Sequence, residues 1–298
     1  VADTTDLAKY HARKLEGLGR VHDGSDPDGR TAPGYCLFEA FVRVGTWQLF
    51  PLVVEPLKVY AGAPTGENAE ILSHPLRTHQ ATGGKGTWVL DRGFDRRELF
   101  GPLVRNRVAF VVRQRGDRTV RTADGRDVSV NAVVAEQVCP TPRRWPAGGM
   151  AVAVEVWLPE TGPDPFLLVV GWRVPGSERP VVLLVSPAAR RAGRNGRWYV
   201  RAYHKRWGVE DANRGIKQRS GVEGFLVRSW MAIRRLLWLV AWAFWWLNLW
   251  GEASFDRLRA VLMNHPRRRK PVTYRFNWIA TLLRELLHPH PRLPNNSG

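Results

Sequence analysis

Tyr203–Lys217 reads YHKRWGVEDANRGIK. Taken as one helix, Tyr203, Arg206, Glu210, Arg214 and Lys217 follow each other at intervals of 3, 4, 4 and 3 and share one stripe. Val209, Ala212 and Ile216 fall on the opposite side, where they can enter a core. The pattern predicts one carboxylate held on an ordered face among cations and a phenol. Alone, it describes equally well an amphipathic surface helix laced with i,i+4 ion pairs.

Working outward, two earlier segments also offer acids in ordered positions. Trp88–Phe94 (WVLDRGF) places Asp91 at the end of a short apolar strand and before a Gly turn, at the carboxyl edge where open sheets bind ligands. Val1–Asp6 (VADTTD) places Asp3 directly after an apolar stub. Between them, Gly34–Val44 and Thr46–Val59 are rich in aromatic and β-branched residues and are separated by Gly45, as in a β-meander. Asn68–Gln80 reads as a helix, Thr87–Leu90 as a strand, Arg96–Asn106 as a helix and Val108–Arg113 as a strand. Asp95 is expected to cap the helix that follows it. Short β-rich runs at 128–138, 151–158, 166–174 and 181–185, punctuated by Pro, Gly and Asp-Gly, then precede a helical pattern from Arg197 onward. This order predicts an α/β fold: a ribonuclease-H-like mixed sheet flanked by helices, with a mostly β insertion between the second and third acidic residues. The expected division is 1–115 for the first part of the core, 116–190 for the insertion, 191–250 for the helical completion of the core and 251–298 for a basic helical tail. That tail includes the run Arg267–Lys270 and a helix at Asn277–Leu287.

Composition narrows the function class. Of the 298 residues, 44% are hydrophobic and 24% charged, the balance of a folded globular protein. The net charge is +18, and because only seven of the 45 basic residues are lysine, arginine supplies 38. Guanidinium groups grip phosphate in bidentate fashion, so the bias fits a polyanionic partner. Residues 1–100 carry a net charge of −1, 101–200 of +7 and 201–298 of +12. Carboxylates thus gather early and cations late, as expected of a metal or catalytic centre joined to a nucleic-acid grip. Two cysteines, Cys36 and Cys139, make no disulfide scaffold and no zinc spacing, which suits a reducing cytosol. Gly83–Gly86 lacks the P-loop pattern, so no nucleotide cofactor is expected. Leu236–Trp250 is apolar but only 15 residues long, abuts Arg234 and Arg235 and contains five Trp. It is expected to be a helix buried within the domain rather than a membrane span.

Together, the three acidic motifs resemble DDE-type insertion-sequence transposases of the IS-four, cut-and-paste class. The family signature matches Tyr203, Arg206, Glu210 and Lys217, its second acidic motif Asp91-Arg92-Gly93-Phe94, and its first Asp3-Thr4-Thr5. The resemblance implies a catalytic, metal-binding triad of Asp3, Asp91 and Glu210 with two Mg²⁺ or Mn²⁺ ions. It also implies DNA contacts from Tyr203, Arg206, Lys217 and Arg214. Trp207 is a candidate for stacking on an unpaired base, although it would also serve as a core filler. The implied reaction is phosphodiester hydrolysis at the element ends and strand transfer of the 3′ hydroxyl into target DNA. The implied partners are double-stranded DNA and a second copy in a synaptic homodimer, with a cytoplasmic, nucleoid-associated location and no membrane. Almost nothing precedes Asp3, so an N-terminal truncation lacking most of the first strand is expected. The alternative reading is a relic that binds DNA without cutting it.

Overall fold

The computed structural model describes residues 1–298 apart from 11, 13, 23–29, 45–47, 61–64, 138–149, 173–179, 191–193, 215, 217–221, 223–224, 226 and 264–298. The run Arg267–Lys270, the tail helix expected at Asn277–Leu287, Cys139 and Lys217 lie outside the described residues.

The chain begins with strands β1 (Ala2–Ala8), β2 (Gly19–His22), β3 (Thr31–Val44) and β4 (Gln48–Pro56), followed by helix α1 (Glu67–Ala81) and strand β5 (Trp88–Leu90). Helix α2 (Arg97–Arg105), strand β6 (Phe110–Arg113), the hairpin β7 (Thr119–Arg121) and β8 (Asp127–Ser129), and helix α3 (Val130–Gln137) come next. Strands β9 (Met150–Val156), β10 (Phe166–Trp172) and β11 (Val181–Val185) precede helices α4 (Pro187–Arg190), α5 (Gly196–His204), α6 (Trp207–Arg214) and α7 (Trp230–Met263).

Nine of these strands form one mixed sheet in the order β2-β3-β1-β5-β6-β11-β10-β9, with β4 also paired to β3. The antiparallel series β4-β3-β1 joins the parallel strands β5 and β6, an arrangement compatible with a ribonuclease-H-like sheet. The strands of the 116–190 segment extend this sheet: β11 pairs antiparallel with β6, and β10 and β9 follow. Among the described residues, β7 and β8 form a separate two-stranded sheet.

Alternation along the strands builds three layers. Phe38, Ala40, Leu90, Phe110, Val112, Leu168 and Leu184 face α1, α2 and α3. Their sequence neighbours Val89, Val111, Val169, Leu183 and Val185 face α4 and α5, while Leu37 and Phe41 face α6 and α7. The period of two is thus satisfied on both faces. Each fully buried large side chain, such as Phe110 or Phe166, contributes about 1.5–3 kcal/mol relative to exposure.

Several expectations are corrected. β1 is a strand of seven residues paired along its whole length to Gly34–Ala40 of β3, while toward β5 Ala2 pairs with Leu90. Residues 128–138 are not one strand. β8 stops at Ser129, whose hydroxyl accepts the Ala132 N–H as a helix start, and Val130 and Val133 bury one face of α3. The Trp-rich segment belongs to a longer helix of 34 residues, and among the side chains described in it only one edge is buried. Ile233, Leu237 and Phe244 pack inward, whereas Trp238, Leu239, Trp242, Trp246 and Leu249 remain exposed because α7 is an outermost element lying on β4. No helix among the described residues is long and apolar enough to cross a membrane.

Gly34 marks the tightest point of this architecture. It pairs with Ala8 of β1 on one side and Gly19 of β2 on the other. A Cβ there would collide with the Leu7 carbonyl oxygen and sit 2.5 Å from Val21 Cγ2. Backbone cannot yield as a side-chain tip does. Gly34→Ala is therefore expected to destabilise the protein by about 2–3 kcal/mol in urea unfolding, and an unchanged midpoint would show that the three strands are less tightly apposed.

Candidate active site

Register brings the first two acids together. Ala2 of β1 is level with Leu90 of the parallel strand β5, so Asp3 and Asp91, each one residue further on, are neighbours on adjacent strands. Ala2 and Leu90 both point into the core under α1 and α2, so Asp3 and Asp91 point to the opposite face. That face is covered by α5 and α6.

The helical side of the site departs from a single continuous helix. α5 ends at His204 and α6 begins at Trp207, so the stripe expected over Tyr203–Lys217 is broken at Lys205 and Arg206. The break lets the two helices enter different parts of the core: Tyr203 packs with Val111, Leu183 and Tyr199, whereas Val209 and Ala212 pack with Phe41 and Leu49. Arg43 of β3 secures the turn by donating from Nη2 to the Lys205 carbonyl at 3.0 Å. Gly208 lets the first turn of α6 approach, since a Cβ there would stand 2.8 Å from Arg43 Nη2 and 3.0 Å from Leu49 Cδ1.

Arg206 lies at this turn, and its guanidinium reaches all three acids. Nη1 donates to Asp3 Oδ2 at 3.1 Å and Nη2 to Glu210 Oε1 at 3.0 Å, while Asp91 Oδ1 is 3.6 Å from Nη2. Asp3, Asp91 and Glu210, supplied by β1, the end of β5 and α6, thus converge on one cation. The Tyr203 hydroxyl donates to Asp91 Oδ1 at 3.0 Å, and Arg113 of β6 makes a long 3.5 Å contact to the same hydroxyl. Asp3 Oδ1 accepts the Thr4 N–H at 2.9 Å. Side-chain exposure rises from 7% at Arg206 through 17% at Asp3 and 32% at Asp91 to 40% at Glu210, so the cluster opens to solvent on the Asp91–Glu210 side.

Burial and neighbours tune these groups. Burial above all, with Asp91 and Glu210 adding to it, raises the Asp3 carboxyl to about 6 against the opposing pull of Arg206 and the Thr4 N–H. Burial followed by Asp91 raises the Tyr203 phenol, which therefore stays protonated and donates. Burial works against the charge of Arg206, but Asp91, Tyr203, Asp3 and Glu210 together hold its pKa above the ordinary value.

The remaining sequence candidates fall differently. Trp207 is 58% exposed and belongs to none of the three core clusters, so it is not the core filler that its type allows. Arg214 closes α6, with its side chain outside what is described. Asp95 is not a helix cap. Its carboxylate accepts the Arg115 N–H and pairs with Arg118 at 2.6 Å, while Arg96 holds the cap position of α2 without a side-chain bond. Sequence reasoning missed Glu39, a fully buried carboxylate of β3 directly across from Asp3 on the same face. The available signal was a lone acid inside the apolar run GYCLFEAFV.

Asp3, Asp91 and Glu210 offer hard carboxylate oxygens, the donor type that small divalent cations require. As placed, however, no three acidic, His or Cys side chains among the described residues stand ready to hold an ion. The guanidinium of Arg206 fills the space between the carboxylates. The donor chemistry fits a metal.

The family model described as Transposase DDE domain matches residues 65–246, and the chain belongs to that family. Asp91 and Glu210 lie within the matched residues, and Asp3 joins them through β1. No curated protein matches the chain. The family implies a DNA substrate and divalent metal chemistry.

Proposed function

We propose that Asp3, Asp91 and Glu210 form the catalytic triad of a cut-and-paste DNA transposase with a ribonuclease-H-like core, and that they hold two Mg²⁺ or Mn²⁺ ions. The observation that carries this reading is the convergence of three carboxylates from three separate elements on one buried guanidinium. Carboxylates are seldom assembled in this way for stability alone, because each must be desolvated. When bound, the ions would polarise the scissile phosphodiester and activate the attacking water or 3′ hydroxyl. The chain's own residues bind and orient the substrate. Arg206, Arg214 and Lys217 receive phosphate oxygens, Tyr203 holds Asp91 in place through its hydroxyl, and the exposed Trp207 offers a ring for an unpaired base.

Hydrolysis breaks the P–O3′ bond at the element end and leaves a 3′ hydroxyl and a 5′ phosphate. In strand transfer that hydroxyl oxygen bonds to a target phosphorus as the target's own P–O3′ bond breaks. On this reading residues 1–115 and 191–250 supply the catalytic residues, 116–190 is an insertion whose strands β9, β10 and β11 extend the same sheet, and 251–298 is a basic tail. Two ends must be processed together, which calls for a homodimer acting on nucleoid DNA in the cytoplasm.

The test uses duplexes taken from the DNA flanking the gene. Cleavage that leaves a 3′ hydroxyl, requires Mg²⁺ or Mn²⁺ and stops on addition of EDTA is expected. Binding of the same duplexes with no cutting in either metal would overturn the reading in favour of a DNA-binding relic.

A further inference from the structure

We propose that Arg206 is a gate on metal loading: it occupies the acid cluster in the DNA-free protein and vacates it when a DNA phosphate offers a better partner. The inference rests on the triad reading above and concerns how that site is regulated. The guanidinium and a divalent ion compete for the same oxygens, Asp3 Oδ2, Asp91 Oδ1 and Glu210 Oε1. A Mg²⁺ ion must approach its ligands to about 2.1 Å. With the guanidinium nitrogens already 3.0–3.6 Å from those oxygens, ion and guanidinium would be forced together as like charges between the same carboxylates. Both cannot be held at once.

Arg206 is placed to move. It stems from the turn between α5 and α6, and its head can leave the cluster by rotation about its own side-chain bonds while the backbone stays in place. Its Nε–H has no acceptor among the described residues, so the guanidinium is incompletely satisfied where it stands. The exit lies toward Asp91 and Glu210, the exposed side of the cluster, where a phosphodiester would enter. A phosphate there matches the guanidinium fork in bidentate fashion. Taking Arg206 onto the phosphate removes the cation that neutralises the carboxylates and restores their demand for metal. DNA and divalent ions then bind with positive coupling, and the coupling is reciprocal. The free protein is guarded from loading ions, and hence from cutting, before substrate is in place.

Mn²⁺ binding followed by the electron paramagnetic resonance signal of the free ion tests this without any turnover. In the wild-type protein, a short DNA duplex is expected to tighten Mn²⁺ binding by about ten- to a hundred-fold. Arg206→Ala is expected to bind Mn²⁺ without DNA by a similar factor more tightly than wild type, and to gain little more when DNA is added. Arg206→Lys, which keeps one charge but loses the fork, is expected to fall between them. Equal Mn²⁺ affinity in wild type with and without DNA would overturn the gate, and this arm needs no variant to fold. Arg206→Ala that keeps its circular dichroism spectrum but binds Mn²⁺ no better than wild type would also overturn it, while wild-type binding abolished by Asp91→Asn would leave the triad reading standing. Absence of any Mn²⁺ binding in all forms would overturn the gate together with the triad.

Discussion

Asp91→Asn and Glu210→Gln are each expected to lower strand cleavage about a thousand-fold, the rate equivalent of about 4 kcal/mol, while DNA affinity changes little. The amides keep the size of the side chains and most of their geometry. The Asn oxygen can still accept from the Tyr203 hydroxyl that lies 3.0 Å from Asp91 Oδ1, so the local frame is kept and the negative charge alone is lost. On the proposed reading that charge is what would bind a hard divalent ion and what the ion's charge would balance. The arginines proposed to grip phosphate remain, so duplex binding should persist and keep its salt dependence. Asp95→Asn is the informative control, since Asp95 is committed to Arg118 and lies apart from the cluster. It should weaken folding and spare cleavage in whatever protein remains folded. Gel analysis of cleaved strands beside a binding titration separates the cases, and cleavage by Asp91→Asn within tenfold of wild type would remove Asp91 from the triad.

How much of this site is legible in the amino-acid sequence varies residue by residue. Asp91 is legible because the apolar run WVL stops at it and a Gly turn follows, which is how a strand end looks on any sheet. Glu210 is legible through its spacing from Arg206 and Tyr203. Asp3 is harder, because its place beside Asp91 depends on the register Ala2↔Leu90, and parallel register is not written in either strand alone. The break between α5 and α6 was hidden for a related reason. A 3.6-residue period survives across a two-residue turn, and only the packing of Tyr203 and Val209 into different core clusters reveals that the helix must bend. The same period placed Arg206 next to Glu210 but could not place it between three carboxylates, since two of those come from strands far away in sequence. The strand read into 128–138 failed because Val130, Val133 and Val134 suit a helix face as well as a strand, and Ser129 decides between them by starting a helix. The extension of the sheet by β9, β10 and β11 was equally silent, because their joining edge, β11 against β6, is a long-range choice.

Asp3→Asn is expected to stabilise the metal-free protein relative to wild type by a gap that opens as pH rises from 3.8 through about 6 and is then constant into the alkaline range. The folded-state value of Asp3 is about 6, against an ordinary 3.8, chiefly because the carboxyl is buried. A raised carboxyl means that the folded protein holds its proton more tightly than the unfolded chain does. The stability this confers is fully present below about pH 3.8 and is lost as pH rises through about 6. Above that, wild type carries the cost of an ionised, largely buried carboxylate that Arg206 and the Thr4 N–H offset only in part. The shift of roughly two pH units corresponds to about 3 kcal/mol. Asn keeps an acceptor for the Thr4 N–H and cannot ionise, so it escapes this cost. Urea unfolding of both proteins in EDTA at pH 4.5, 6 and 8 reads the difference directly. The gap in unfolding free energy should widen in favour of Asp3→Asn as pH passes through about 6 and level off above it; a gap constant across that range would mean that Asp3 is as well solvated in the folded protein as in the unfolded chain.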